Sequence, residues 1–224
     1  MIAMTDATRA RPGEVVGDGS DPSPDPVVKV PDPIVTIENL SLDYGPKRAL
    51  EGISFGIPRT RITAFIGPSG CGKSTLLNCL VGKLIPDTGS VMFDGQSVLG
   101  RTPFEINQMG ISRVFQTPEI FGDLTVMENM LIPCFAKRDG SFALHGIRSV
   151  MSEGELRDQA EQMLDDVNML DKRNMHSASM SRGDKRRLEM AMCLVQNPKL
   201  LLLDEVMAGL RPAEVDEMVA IIRR

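Results

Sequence analysis

Residues 67–75 read Gly-Pro-Ser-Gly-Cys-Gly-Lys-Ser-Thr, and no other stretch limits the fold of this chain as much. It fits G-x-x-x-x-G-K-[ST], a loop whose backbone N–H groups turn inward around phosphate oxygens where a helix begins and its positive end adds to them. Gly67 and Gly72 permit backbone angles and a close approach that a Cβ would block. Lys73 is placed to reach the β- and γ-phosphates, and the Ser74 hydroxyl to ligate Mg2+. Ser69, Gly70, Cys71 and Thr75 complete the nucleotide-contacting candidates; Cys71 holds one of the motif's variable positions and is read as that rather than as a redox centre. The flanks agree with the motif. Residues 61–67 (RITAFIG) read as a buried strand, and 73–84 (KSTLLNCLVGKL) have helical spacing with Leu76, Leu77, Leu80 and Val81 on one face.

A second fixed point lies near the end of the chain. Residues 199–205 (KLLLLDE) form a continuous aliphatic run of the kind that makes a central parallel strand covered on both faces. Asp204 and Glu205 close it. With a phosphate loop upstream, an aspartate there is a Mg2+ ligand and the neighbouring glutamate a base for the attacking water.

Between and around these points the texture is α/β. Residues 34–44 and 52–57 read as short strands, and 89–98 as a strand and turn. From about 117 to 190 the spacing is helical. One helix starts after Asp123 or Thr125, and another opens with a capping box of Ser152 and Glu155. Residues 213–224 place Val215, Met218, Val219 and Ile222 on one stripe behind Pro212. Residues 1–33 are rich in Pro, Asp, Gly and Ser and read as a disordered tail. No internal repeat is visible.

Bulk properties exclude several classes. A net charge of −5 over 224 residues gives no electrostatic footprint for nucleic acid. Cysteines 71, 79, 134 and 193 form no metal-binding spacing, and free thiols fit a reducing compartment. No apolar run spans a bilayer and no signal peptide is present, which predicts a cytoplasmic protein.

One stretch resists a quick reading. Residues 180–187, MSRGDKRR, contain the Arg-Gly-Asp tripeptide of adhesion proteins. A cytoplasmic chain has no route to an integrin, so the alternative is preferred: Ser181 opens a helix. Its position, 180–205 ending in the acidic pair, makes the chain resemble an ATP-binding cassette (ABC) ATPase over residues 34–224. The chain is similar, more narrowly, to the ATPases of branched-chain amino acid importers in RVFQTPEIFGDLTVMENM, SRGDKRRLEMAMCL and DEVMAGLRPAEVDE, with 209–214 weighing most.

The resemblance implies a P-loop fold with a RecA-like core sheet, an antiparallel β subdomain and an inserted helical subdomain at about 117–190. It implies that Tyr44 stacks on adenine, and that Gln116 senses Mg2+ and the γ-phosphate. It implies that Ser181 and Gly183 face the γ-phosphate of ATP held by a second cassette, with Glu205 the catalytic base. The implied partners are integral-membrane permease subunits, seated near 118–121 and the helical subdomain, a second ABC subunit (homo- or heterodimer) and, indirectly, a solute-binding protein. The implied location is the inner face of the cell membrane.

Departures from the family pattern are Arg182 and Asp184 in what reads as a phosphate-facing turn, and Arg211 in the dimer-contact loop. Lys185, Arg186 and Arg187 read as a solvated or dimer-facing flank. A final strand and its switch histidine are expected after residue 224, since His145 and His176 both lie upstream; the chain therefore reads as C-terminally truncated. The alternatives are an ATP-dependent dimerising module with little hydrolysis and a non-transport ABC ATPase.

Overall fold

The structure, a computed structural model, describes residues 2–5, 30–115, 119–139, 150–204 and 212–222. They fall into two compact units, one of residues 2–103 and one from residue 104 onward.

In the first unit β1 (Ile2–Thr5) is followed by two 12-residue strands, β2 (Pro33–Tyr44) and β3 (Lys47–Pro58), then β4 (Ile62–Ala64), α1 (Lys73–Leu80), β5 (Thr88–Phe93) and β6 (Gln96–Ser97). An antiparallel sheet runs in the order β3-β2-β5-β6. Its β5–β6 turn is Asp94-Gly95 with φ of 49° and 77°, the left-handed pair that a two-residue hairpin turn requires. Alternation along β2 and β5 buries Val35, Ile37, Val91 and Phe93 on one face. Each such side chain contributes roughly 2 kcal/mol of burial.

Three expectations change here. The helix expected over 73–84 ends at Leu80, because Gly82 turns left-handed and the Lys83 and Leu84 N–H groups close back on the Asn78 carbonyl. The strand at 61–67 shrinks to β4 and is not buried: Ile62 is 52% and Ile66 95% exposed. An apolar run becomes a buried strand only where layers cover both faces. Within the stretch read as a disordered tail, Ile2–Thr5 pair antiparallel with β4, Ile2 opposite Ala64 and Met4 opposite Ile62. The mostly apolar Ile-Ala-Met-Thr differs in kind from the Pro- and Asp-rich run that follows; residues 6–29 lie outside the described residues.

The second unit holds α2 (Pro103–Met109), β7 (Ile111–Val114), α3 (Val126–Asp139), α4 (Val150–Asp166), α5 (Arg182–Leu194), β8 (Leu200–Leu203) and α6 (Pro212–Ile222). β7 and β8 pair in parallel, Ile111 opposite Leu200 through Val114 opposite Leu203, and all four β8 leucines are buried, as the aliphatic run predicts. α3, α4 and α5 enclose Met130, Leu164, Met169, Leu188 and Ala191.

Helix starts follow local chemistry. α3 is capped by Thr125 rather than Asp123: the Glu128 N–H donates to Thr125 Oγ1 at 3.2 Å, and the Glu128 carboxylate accepts from the Thr125 N–H at 2.7 Å. The Ser152–Glu155 box does not cap α4. That helix starts at Val150, so Ser152 lies inside it; nothing in Val150-Met151 breaks the helical path. Pro212 sits in the first turn of α6, as expected.

Candidate nucleotide-binding site

The phosphate loop lies between β4 and α1. Gly72 is the N-cap of α1 at φ 94°, and no side chain caps the helix. A Cβ at Gly72 would stand 2.7 Å from both the Ala49 carbonyl oxygen and Leu50 Cδ2, so β3 presses the turn into a shape only glycine fits. At Gly67 a Cβ would meet the Cys71 sulfur at 2.7 Å. Gly70 is also left-handed, at φ 82°. The first turn of α1 carries no acidic residue, so nothing on it repels an anion at the helix start.

Lys73 is folded over this loop. Its ammonium donates to the Gly67 and Pro68 carbonyls, both at 2.8 Å, and lies 3.3 Å from the Cys71 thiol. Ser74 and Thr75 follow in the helix. Tyr44, at the end of β2 and 49% exposed, has its hydroxyl 3.5 Å from Thr75 Oγ1. The structure thus brings Tyr44 to the side of the loop, half-exposed.

The signature stretch starts a helix, as read. Ser181 is the N-cap of α5, and its hydroxyl accepts from the Asp184 N–H at 3.1 Å. Arg182 is exposed as the first helical residue, and Gly183 is buried against Glu214 of α6. Two expectations fail here. The Asp184 carboxylate does not face outward: Lys172 and Arg187 both donate to its Oδ1 at 2.8 Å. Burial works against its charge, but Lys172, Ser181 and Arg187 hold its pKa below the ordinary aspartate value. Of 185–187, read as a solvated or dimer-facing flank, Arg186 is not solvated, at only 2% exposed, whereas Lys185 and Arg187 are partly exposed.

The paired parallel strands carry the remaining candidates. Asp204, at the end of β8, is buried, and its Oδ2 accepts from Arg113 Nη2 of β7 at 2.7 Å. Gln116, Glu205, Arg211, His145 and Pro118 lie outside the described residues. Immediately before Gln116, the Phe115 N–H donates to Glu189 at 3.0 Å, and the Phe115 carbonyl accepts from Arg186. Sequence reading passed over this pair and also Asn129. The buried Asn129 amide spans the loop before α3, accepting from the Phe121 N–H at 2.9 Å and donating to the Phe121 carbonyl at 3.0 Å. A buried Asn three residues into a helix is the signal that could have found it.

A family model for ABC transporters matches residues 50–208. BraF of Pseudomonas aeruginosa, a high-affinity branched-chain amino acid transport ATP-binding protein, is 32% identical over 196 residues, 86% of this chain and 76% of its own. LivG of Escherichia coli K12, of the same description, is 33% identical over 199 residues, 85% of this chain and 77% of its own. Among solved structures, the ADP conformation of an ATP-binding cassette of an ABC transporter superposes with a TM-score of 0.73 at 29% identity, covering 85% of this chain and 76% of that one. A nucleotide-free cassette gives 0.72 at 28%, with the same coverage.

Proposed function

This chain belongs to the ABC transporter family, and from that premise we propose that it binds ATP and hydrolyses it to energise an importer of branched-chain amino acids or a related small solute. The observation that carries this reading is the loop between β4 and α1: a glycine-shaped turn at a helix start, a lysine folded over it, and an open tyrosine ring beside it. The Tyr44 ring stacks on the base. The N–H groups of 67–75 and the Lys73 ammonium take the phosphates, Lys73 exchanging its loop carbonyls for phosphate oxygens.

For Mg2+ the chain offers the hard oxygen donors that ion takes, the Ser74 hydroxyl and the Asp204 carboxylate, with Gln116 by family pattern. Mg2+ keeps several waters and binds phosphate, so it needs no cage of three protein carboxylates, and the described residues hold none. Bound there, it would neutralise phosphate charge. Glu205 accepts the proton of the attacking water. Ser181 and Gly183, at the start of α5, present N–H and hydroxyl groups to ATP on a second cassette.

The partners in this reading are two permease subunits, that second cassette and, through the permeases, a solute-binding protein. Phe121, 51% exposed on a loop whose backbone Asn129 holds, supports a permease seat near 118–121. The protein then works peripherally, on the inner face of the membrane; no described helix is long and apolar enough to cross it.

The test is ATP binding, turnover and solute uptake in vesicles carrying the permease subunits. Wild type should do all three. Glu205→Gln should bind ATP without turning it over, and Lys73→Ala should not bind it. Absence of ATP binding by wild type overturns the nucleotide reading. Turnover with no uptake directs the function to a non-transport ABC ATPase, and ATP-driven pairing without turnover to a dimerising module.

A further inference from the structure

α5 joins two places that matter to the proposed chemistry. Its first turn carries Ser181 and Gly183. One turn further, Arg186 and Glu189 form an ion pair, Nη1 to Oε2 at 2.7 Å, with side chains only 2% and 5% exposed. A buried ion pair is a costly object: apolar residues of the same volume often serve stability as well or better. What this pair does beyond packing is visible in its other bonds. Both members grip the same peptide backbone. The Arg186 guanidinium donates to the Phe115 carbonyl, and Glu189 Oε1 accepts from the Phe115 N–H at 3.0 Å.

Phe115 is the first residue beyond β7, where the strand ladder has ended at Val114. Its half-buried polar groups need partners, and these two come from one helix 71 and 74 residues away in sequence. A third link, from the Cys193 thiol to the Arg113 carbonyl at 3.5 Å, fastens the far end of α5 to β7. Burial pushes the Glu189 carboxyl above the ordinary glutamate value; the Phe115 N–H and Arg186 oppose that shift.

We propose that Arg186 and Glu189 are positioning residues, a two-pronged clamp by which α5 holds both backbone groups of Phe115, so that displacement of the signature turn and displacement of the residue leading into Gln116 are one movement. The distinguishing feature is the two-sidedness. A single hydrogen bond permits the residue to swing about it, whereas a donor and an acceptor mounted on one helix hold the peptide groups on both sides of Phe115. The role rests on the ATPase reading above: the clamp would let arrival of a phosphate at one end of α5 be felt at residue 115.

The test uses the full chain in complex with its permease subunits. The double variant Arg186→Met/Glu189→Leu replaces the pair with apolar bulk. Glu189→Gln keeps an acceptor for the Phe115 N–H without the charge, and Arg186→Lys keeps the charge without the fork. The double variant should keep wild-type ATP affinity within about twofold, since the phosphate loop is untouched, and lose at least tenfold in kcat. Glu189→Gln should fall between it and wild type. A folded double variant with wild-type kcat overturns the clamp. If the double variant does not fold, wild-type kcat in both Glu189→Gln and Arg186→Lys overturns it equally. A wild-type chain without ATPase activity would instead sink the proposed function, leaving the two failures distinct.

Discussion

Arg113 and Asp204 face each other from adjacent parallel strands, guanidinium to carboxylate at 2.7 Å, with side chains 7% and 8% exposed. The carboxylate proposed to meet Mg2+ is thus held by an arginine on the neighbouring strand. Removing one member strands the other as a buried charge. Arg113→Met should destabilise the fold by about 3–5 kcal/mol, and Arg113→Met/Asp204→Asn should recover most of it. Urea unfolding of the two variants checks this; equal losses in both would mean the pair is not what holds these strand ends.

The turn at Gly72 is closed to any side chain. Its φ of 94° and the 2.7 Å approach to Ala49 and Leu50 make Gly72→Ala costly twice over, at about 1–2 kcal/mol for the backbone alone. Lys73→Ala touches only exposed contacts and should leave the thermal midpoint unchanged. Both should weaken binding of a fluorescent ATP analogue at least tenfold, but only Gly72→Ala should lower the midpoint.

Four thiols in one chain should react in two classes. Cys71 is exposed beside Lys73, whereas Cys79, Cys134 and Cys193 are buried, and burial raises their pKa, Cys79 to about 11 and Cys193 to about 12. A maleimide at neutral pH should label one equivalent quickly, at Cys71. Labelling should abolish ATP binding, and ATP should protect. Unchanged ATP affinity after complete labelling of Cys71 would refute its contact with the nucleotide.

Asp184 ties stability to acid. Its folded pKa lies below the ordinary aspartate value, so its contribution is fully present above about pH 4 and is lost as pH falls through the folded pKa. Asp184→Asn should therefore be less stable than wild type at pH 6, and the gap should close as pH drops below about 4. Thermal midpoints across pH 2.5–6 test the sign; a gap that widens on acidification contradicts it.

The features legible in the sequence are those whose chemistry is local. The nine residues 67–75 around Lys73 specify their own turn, four consecutive leucines specify a covered strand, and Ser181 caps the helix that follows it. The features missed depend on distant partners. Arg186 in Lys-Arg-Arg looks solvated until Glu189 one turn on and Phe115, 71 residues upstream, are brought to it. Asp184 looks outward until Lys172 closes on it from the preceding turn. Ile62 and Ile66 read as buried because apolar residues in a strand imply cover, and that cover is a property of the assembled layers rather than of seven residues.

Gly183 carries a consequence for any mutational survey of the signature. A methyl group added there meets the carboxylate of Glu214, so even alanine must push aside a side chain of α6. An alanine at 183 is therefore a change in two places, but the Glu214 carboxylate is the far end of a flexible side chain that moves aside at little cost, so an inactive Gly183→Ala protein reports mainly on the turn itself.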